Sequence, residues 1–133
     1  LIHSLDRWSL AEALDARAKQ WGKIQDVLIQ VNVSGEDSKT GLSSHEAAGF
    51  AERVLHGCKN LRVRGLMTMA PLIEPEATRQ FFRETKALYD ALQGDLDVRW
   101  DILSMGMTND FEVAIEEGAT LVRIGSALFS KGD

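Results

Sequence analysis

The run DILSMGMTNDFEVAIEEGATLVRIGSALF, Asp101 to Phe129, constrains the fold most tightly. It reads as a buried strand, a glycine-containing turn, a short helix and a second buried strand. Strands that are apolar on consecutive positions are buried on both faces, and they occur in parallel sheets whose connections are helical crossovers. Both strand ends also carry polar groups: Ser104 and Gly106 on the first, Arg123, Gly125 and Ser126 on the second. Backbone N–H groups, small hydroxyls and one arginine suit a phosphate ester, and a helix start between them adds unpaired donors. In a barrel of alternating strands and helices, phosphate sits by preference in the loops after the last two strands.

The rest of the chain repeats the same alternation. Strand 1–5 is followed by a helix that Ser9 and Glu12 open as a capping box, with Leu10, Ala11, Leu14, Ala18 and Trp21 inward and Gly22 as its stop. Strand 26–33 (DVLIQVNV) leads through the polar loop 35–41 to a second capping box, Ser43 and Glu46, on a helix ending near Gly57. Strand 61–70 is closed by Pro71, and Pro75 suits the first turn of the next helix. That helix, 76–92, directs Phe81, Phe82, Thr85, Leu88, Tyr89 and Leu92 to a core and stops at Gly94. Strand 98–106, helix 109–117 and a last strand complete five strands and four helices. This is an α/β pattern with a parallel sheet. A doubly wound sheet and part of a (β/α)8 barrel both satisfy it.

With 133 residues, the chain suffices for one domain, 1–133, with a true core. A net charge of −5 with dispersed acids gives no footprint for nucleic acid or an anionic membrane. No apolar run approaches the roughly 20 residues of a membrane-spanning helix. The single cysteine, Cys58, fits a reducing cytoplasmic setting and reads as an inert thiol at a helix end. The chain opens directly on a strand without an initiating Met, so a piece of a longer protein is expected, with open sheet edges suited to self-association.

Gly106 allows close backbone approach to a ligand, and Thr108 or Asn109 can cap the helix that follows. The bland alternative is an ordinary strand-to-helix turn with packed methionines. Arg123 stands between Val122 and Ile124, where a buried arginine needs a partner. A phosphate would serve, and so would a core acid such as Asp101 or Glu112. Lys39 reads as a solvated loop residue and His3 as a satisfied core histidine, with His45 and His56 at helix ends. No metal-ligand spacing, dinucleotide fingerprint or Walker motif is present.

IHSLDRWSLAEAL, DVLIQVNVSGEDSKTGL, VRGLMTMAPL, LSMGMTNDFEVAIEEGAT and VRIGSALF together resemble the YggS/PROSC family of pyridoxal 5′-phosphate (PLP) homeostasis proteins. The resemblance implies a (β/α)8 TIM barrel of the alanine racemase N-terminal-domain type, of which this chain holds strands four to eight. It further implies that the lysine forming the Schiff base lies on a strand absent here. Cofactor contacts carried over by motif are Ser104, Met105 and Gly106 from the SMGM turn, and Arg123, Gly125 and Ser126 from the R-I-G-[ST] ending. Thr108 and Ser126 depart from the family's commoner residues and keep the hydroxyl. The resemblance implies a PLP carrier and regulator with no assigned catalytic residue and no metal. A racemase-like PLP enzyme and a barrel for another phosphate ester are the alternatives.

Overall fold

A computed structural model describes residues 1–34 and 40–124. Five strands, β1 (Ile2–Leu5), β2 (Gln25–Gln30), β3 (Leu61–Met67), β4 (Ile102–Met107) and β5 (Leu121–Arg123), alternate with four helices, α1 (Trp8–Gln20), α2 (Ser44–Gly57), α3 (Pro75–Leu96) and α4 (Phe111–Glu116). The sheet is parallel throughout and its spatial order is the chain order, β1-β2-β3-β4-β5. Sequential order without reversal is barrel-like, since a doubly wound sheet changes direction at a switch point.

The helices bury one face of the sheet. Alternate residues Ile29 and Val31 of the second strand run, with Leu66, Leu103 and Met105, pack against Ala47, Ala51, Phe82, Tyr89, Leu92 and Ala114. A second cluster joins Leu5, Ala11, Val27, Val54 and Leu61 beneath α1 and α2. The opposite parity, Leu28, Gln30 and Ser104, therefore faces the concave side. Gln30, Met67, Ser104 and Leu121 stand in register across four strands.

Polar clamps hold the frame in two places. At the strand starts, Asp26 accepts from Arg62 at 2.7 and 2.9 Å and from Arg64 at 3.2 Å. Arg64 also pairs with Asp101. Arg79 of α3 donates to Glu116 and Glu117 at 2.6 Å each, tying α4 to its neighbour.

Several sequence expectations are corrected. Helix α1 begins at Trp8 on an Arg7 N-cap with no side-chain cap bond, so Ser9 and Glu12 lie inside the helix and form no capping box. Trp21 is 73% exposed rather than inward, because the chain has already left the helix there. Helix α3 passes through Gly94 to Leu96 and is ended by Asp97 in the left-handed region, φ 53°. Packing of Leu92, with Leu96 beside it, outweighs one glycine's helix penalty. Helix α4 starts at Phe111 with Asp110 as N-cap, not Thr108 or Asn109. The Ser43–Glu46 capping box, the α2 end at Gly57 and Pro75 in the first turn are as expected.

Candidate functional site

Ser104 sits in mid-strand β4 with its neighbours Leu103 and Met105 turned to the helical layer. Alternation then fixes its hydroxyl on the concave side. The residue is fully buried, and its Oγ has no hydrogen-bond partner. Arg123 follows two residues after Leu121, the register partner of Ser104, and so shares its face. Its Nε and Nη2 are likewise buried without a partner. Burial lowers the guanidinium's pKa from its ordinary value, and the Asp110 charge opposes that only in part. Neither expected acid partner is there. Asp101 is taken by Arg64, and Glu112 is exposed. An unspent guanidinium and an unspent hydroxyl on adjacent strands are costly unless a ligand uses them.

Met105 and Gly106 belong differently to this region. The Met105 side chain is core, packed within the helical layer, which leaves only its main chain for a ligand. Gly106 has φ 104°, and a Cβ there would come 2.7 Å from that of Ala114 and 3.3 Å from Val122 Cγ1. The glycine is thus required by α4 and β5. In the turn beyond it, the Met107 N–H is spent on Asp110 Oδ1 at 2.8 Å, while Asn109 Nδ2 donates to the Ile73 carbonyl at 3.0 Å. Gly125, Ser126 and Lys39 lie outside the described residues.

The ends of β2 and β3 carry further polar groups. Thr68 Oγ1 donates to the Val31 carbonyl at 2.8 Å, and the Thr68 N–H donates to the Ser104 carbonyl at 3.0 Å. Asn32 Oδ1 accepts from the Ser34 N–H and hydroxyl. An open cleft lined by Gln30, Asn32, Ser34, Thr40 and Met69 adjoins them. Asp6, just after β1, accepts the Gly41 N–H at 2.8 Å and so ties the loop after β2 to the sheet edge. Gln30 is a buried polar residue that the sequence pattern did not single out; a polar residue amid an apolar strand run was the available signal.

His3 departs from its expected role. Its Nδ1 is buried with no partner, and burial lowers the imidazole's pKa, followed by the charges of Arg123 and the chain's amino terminus. Among the described residues, no group of acids, cysteines and histidines could hold a metal ion. No helix among them is long and apolar enough to cross a membrane.

Comparison with known proteins matches residues 1–131 to the family model described as alanine racemase, N-terminal domain. The pyridoxal phosphate homeostasis protein of Aquifex aeolicus is 49% identical over 132 residues, covering 98% of this chain and 58% of that protein. Its counterpart in Pseudomonas aeruginosa is 43% identical over 99% of this chain and 56% of that protein. PipY of Synechococcus elongatus PCC7942, solved with PLP bound, aligns with a TM-score of 0.82 at 32% identity, over 92% of this chain and 57% of that one. Alanine racemase of Clostridium difficile 630, at 13% identity and a TM-score of 0.64 over 93% of this chain and 32% of that one, shares the fold. The chain spans 56% to 58% of these two homeostasis proteins and of PipY. With its parallel five-stranded half-barrel and this family match, the chain belongs to the alanine racemase N-terminal domain family.

Proposed function

We propose that this chain supplies the greater part of a barrel that binds pyridoxal 5′-phosphate and keeps it available, as a carrier and regulator of vitamin B6 in the cytoplasm. The observation that carries the reading is the set of unspent donors: Ser104 Oγ with Arg123 Nε and Nη2, buried on one face of adjacent strands. Leaving a buried donor unmatched costs about 1–3 kcal/mol. Pyridoxal phosphate answers that cost with phosphate oxygens, a pyridine nitrogen and a phenolic oxygen, all able to accept. The resident cofactor's own contribution is an electrophilic aldehyde.

The chain's residues bind and orient. Ser104 donates its hydroxyl, Arg123 donates two N–H groups and balances negative charge, and Met105 and Gly106 contribute main chain only. Gly125 and Ser126, which lie outside the described residues, join them as cofactor contacts by motif alone. The covalent lysine belongs to the portion of the barrel this chain does not span, and that portion covers the free edges of β1 and β5. In its absence, a second copy is the expected cover.

The test is cofactor absorbance retained by the complete barrel protein. Arg123→Ala and Ser104→Ala should each release PLP, the former with a loss of about 2 kcal/mol in binding, the scale of a charged hydrogen bond. Unchanged retention in both would overturn the assignment. For the 133-residue chain alone, borohydride reduction with PLP should give no stoichiometric label. Labelling at one lysine, such as Lys39, would refute the placement of the covalent residue.

A further inference from the structure

The concave face carries two carboxamides besides Ser104 and Arg123. Ile29, Val31 and Val33 all pack with the helical layer, so alternation turns Gln30 and Asn32 to the opposite face. Both line the open cleft at the ends of β2 and β3, together with Met69 and Pro71. Gln30 is only 5% exposed, and its amide has no hydrogen-bond partner among the described residues. Asn32 Oδ1 accepts the Ser34 N–H at 3.2 Å and the Ser34 hydroxyl at 2.7 Å. A main-chain N–H can only donate, which fixes the Asn32 oxygen on that side. The Asn32 Nδ2 hydrogens, unpartnered among the described residues, are then the donors left over.

Strand register relates these amides to the donors already described. Gln30, Met67 and Ser104 are successive partners across β2, β3 and β4. Two strand spacings, roughly 10 Å, therefore separate Gln30 from Ser104. Met67 lies between them on the same face, since Leu66 before it packs with the helices. The face thus presents charged and hydroxyl donors on β4 and β5, a methionine on β3, and neutral amides on the β2 run. A guanidinium and a hydroxyl suit phosphate. A carboxamide both donates and accepts without charge, which suits the neutral polar substituents of a ring. The polarizable methionine between them suits the ring itself.

We propose that Gln30 and Asn32 determine ligand specificity, hydrogen-bonding the polar ring substituents of the phosphorylated pyridine that Ser104 and Arg123 bind. The proposal rests on the PLP reading above and adds recognition of the ring to it.

Two probes test it by calorimetry on the complete barrel protein. Pyridoxine 5′-phosphate carries the substituted pyridine without the aldehyde. Benzyl phosphate keeps the aryl-methyl phosphate and lacks the ring nitrogen and both hydroxyl substituents. Gln30→Met and Asn32→Leu should each weaken pyridoxine 5′-phosphate by roughly threefold to tenfold, the range of one hydrogen bond, and leave benzyl phosphate unchanged. Should either variant fail to fold, the wild-type protein labelled with 15N decides. Its Gln30 and Asn32 side-chain amide signals should move on saturation with pyridoxine 5′-phosphate and stay in place with benzyl phosphate. If the wild-type protein ignores pyridoxine 5′-phosphate, the PLP reading itself falls. If it binds that probe while the two amide signals stay still, or while folded variants weaken both probes alike or neither, the inference falls and the PLP reading stands.

Discussion

Gly106 and Ala114 occupy a space that admits one Cβ. A methyl group added to Gly106 would lie 2.7 Å from the Ala114 Cβ and 3.2 Å from the Phe111 Cα. The backbone at Gly106 also has φ 104°, a conformation that L side chains rarely adopt. Through this contact α4 seats on the turn after β4, and the short crossover delivers Arg123 beside the strand of Ser104. Chain geometry at one glycine thus sets how β5, with Arg123, lies against β4.

Gly106→Ala should therefore destabilise the protein by about 2–4 kcal/mol, combining backbone strain with overpacking. Urea denaturation of the complete barrel protein measures it. Adding Ala114→Gly should restore only part of the loss, since the strained backbone remains. A single variant as stable as the wild type would show that the turn relaxes freely.

Arg123→Met separates stability from binding. With Nε and Nη2 unpartnered, the guanidinium is a buried charge with little return in the absence of ligand. The methionine variant should melt at the same temperature or higher without cofactor, while its PLP retention falls. A fall of several degrees in the cofactor-free melting temperature would instead reveal a protein partner for the guanidinium.

Legibility in the sequence followed the physics of each signal. Apolar runs at Val27–Val31 and Leu103–Met105 announced strands because burial on both faces leaves no other pattern. The Ser43–Glu46 box was readable because both partners sit at fixed offsets. Ser9–Glu12 has the same offsets and forms no cap, since the helix starts two residues earlier, with Arg7 as N-cap and Trp8, its ring 3.9 Å from the Arg53 cation, as the first helical residue. Ser104 and Arg123 could be suspected as polar residues in apolar strands. Gly106 was read as room for a ligand, and its neighbours turned out to be Ala114 and Phe111; spacing cannot distinguish the two uses.

The Asp26–Arg64–Asp101 cluster makes the strand starts acid-sensitive. Hydrogen bonds from Arg62, and then the Arg62 charge and Arg64, hold the Asp26 carboxyl below its ordinary pKa of 3.8. Arg64 does the same for Asp101. A carboxylate with a depressed folded pKa stabilises the protein above its unfolded value, and that contribution is lost as pH falls through the folded value. Melting temperature should decline from about pH 4 downward. Arg64→Met should lower the melting temperature at neutral pH and flatten the acid decline, because Asp101 then loses the largest interaction holding its pKa down. Parallel curves for variant and wild type would mean that the decline arises elsewhere.

Helices α1 and α2 supply a paired test of capping. In α2, the Ser43 side chain accepts the Glu46 N–H at 3.3 Å, and Glu46 Oε1 accepts the Ser43 N–H at 3.1 Å. Ser43→Ala should cost about 1 kcal/mol, as expected for a lost N-cap. Ser9 lies inside α1 and caps nothing, so Ser9→Ala should be neutral or stabilising by up to about 0.5 kcal/mol, because alanine is the better helix former. Glu46 adds a pH signature. Its bonds with Ser43 lower its pKa, so the box is intact above the ordinary glutamate value and fails as pH falls through the folded one. The gap between wild type and Ser43→Ala in chemical denaturation should accordingly narrow in acid, while the effect of Ser9→Ala stays constant. Equal losses from the two substitutions would mean that α1 is capped at Ser9 after all.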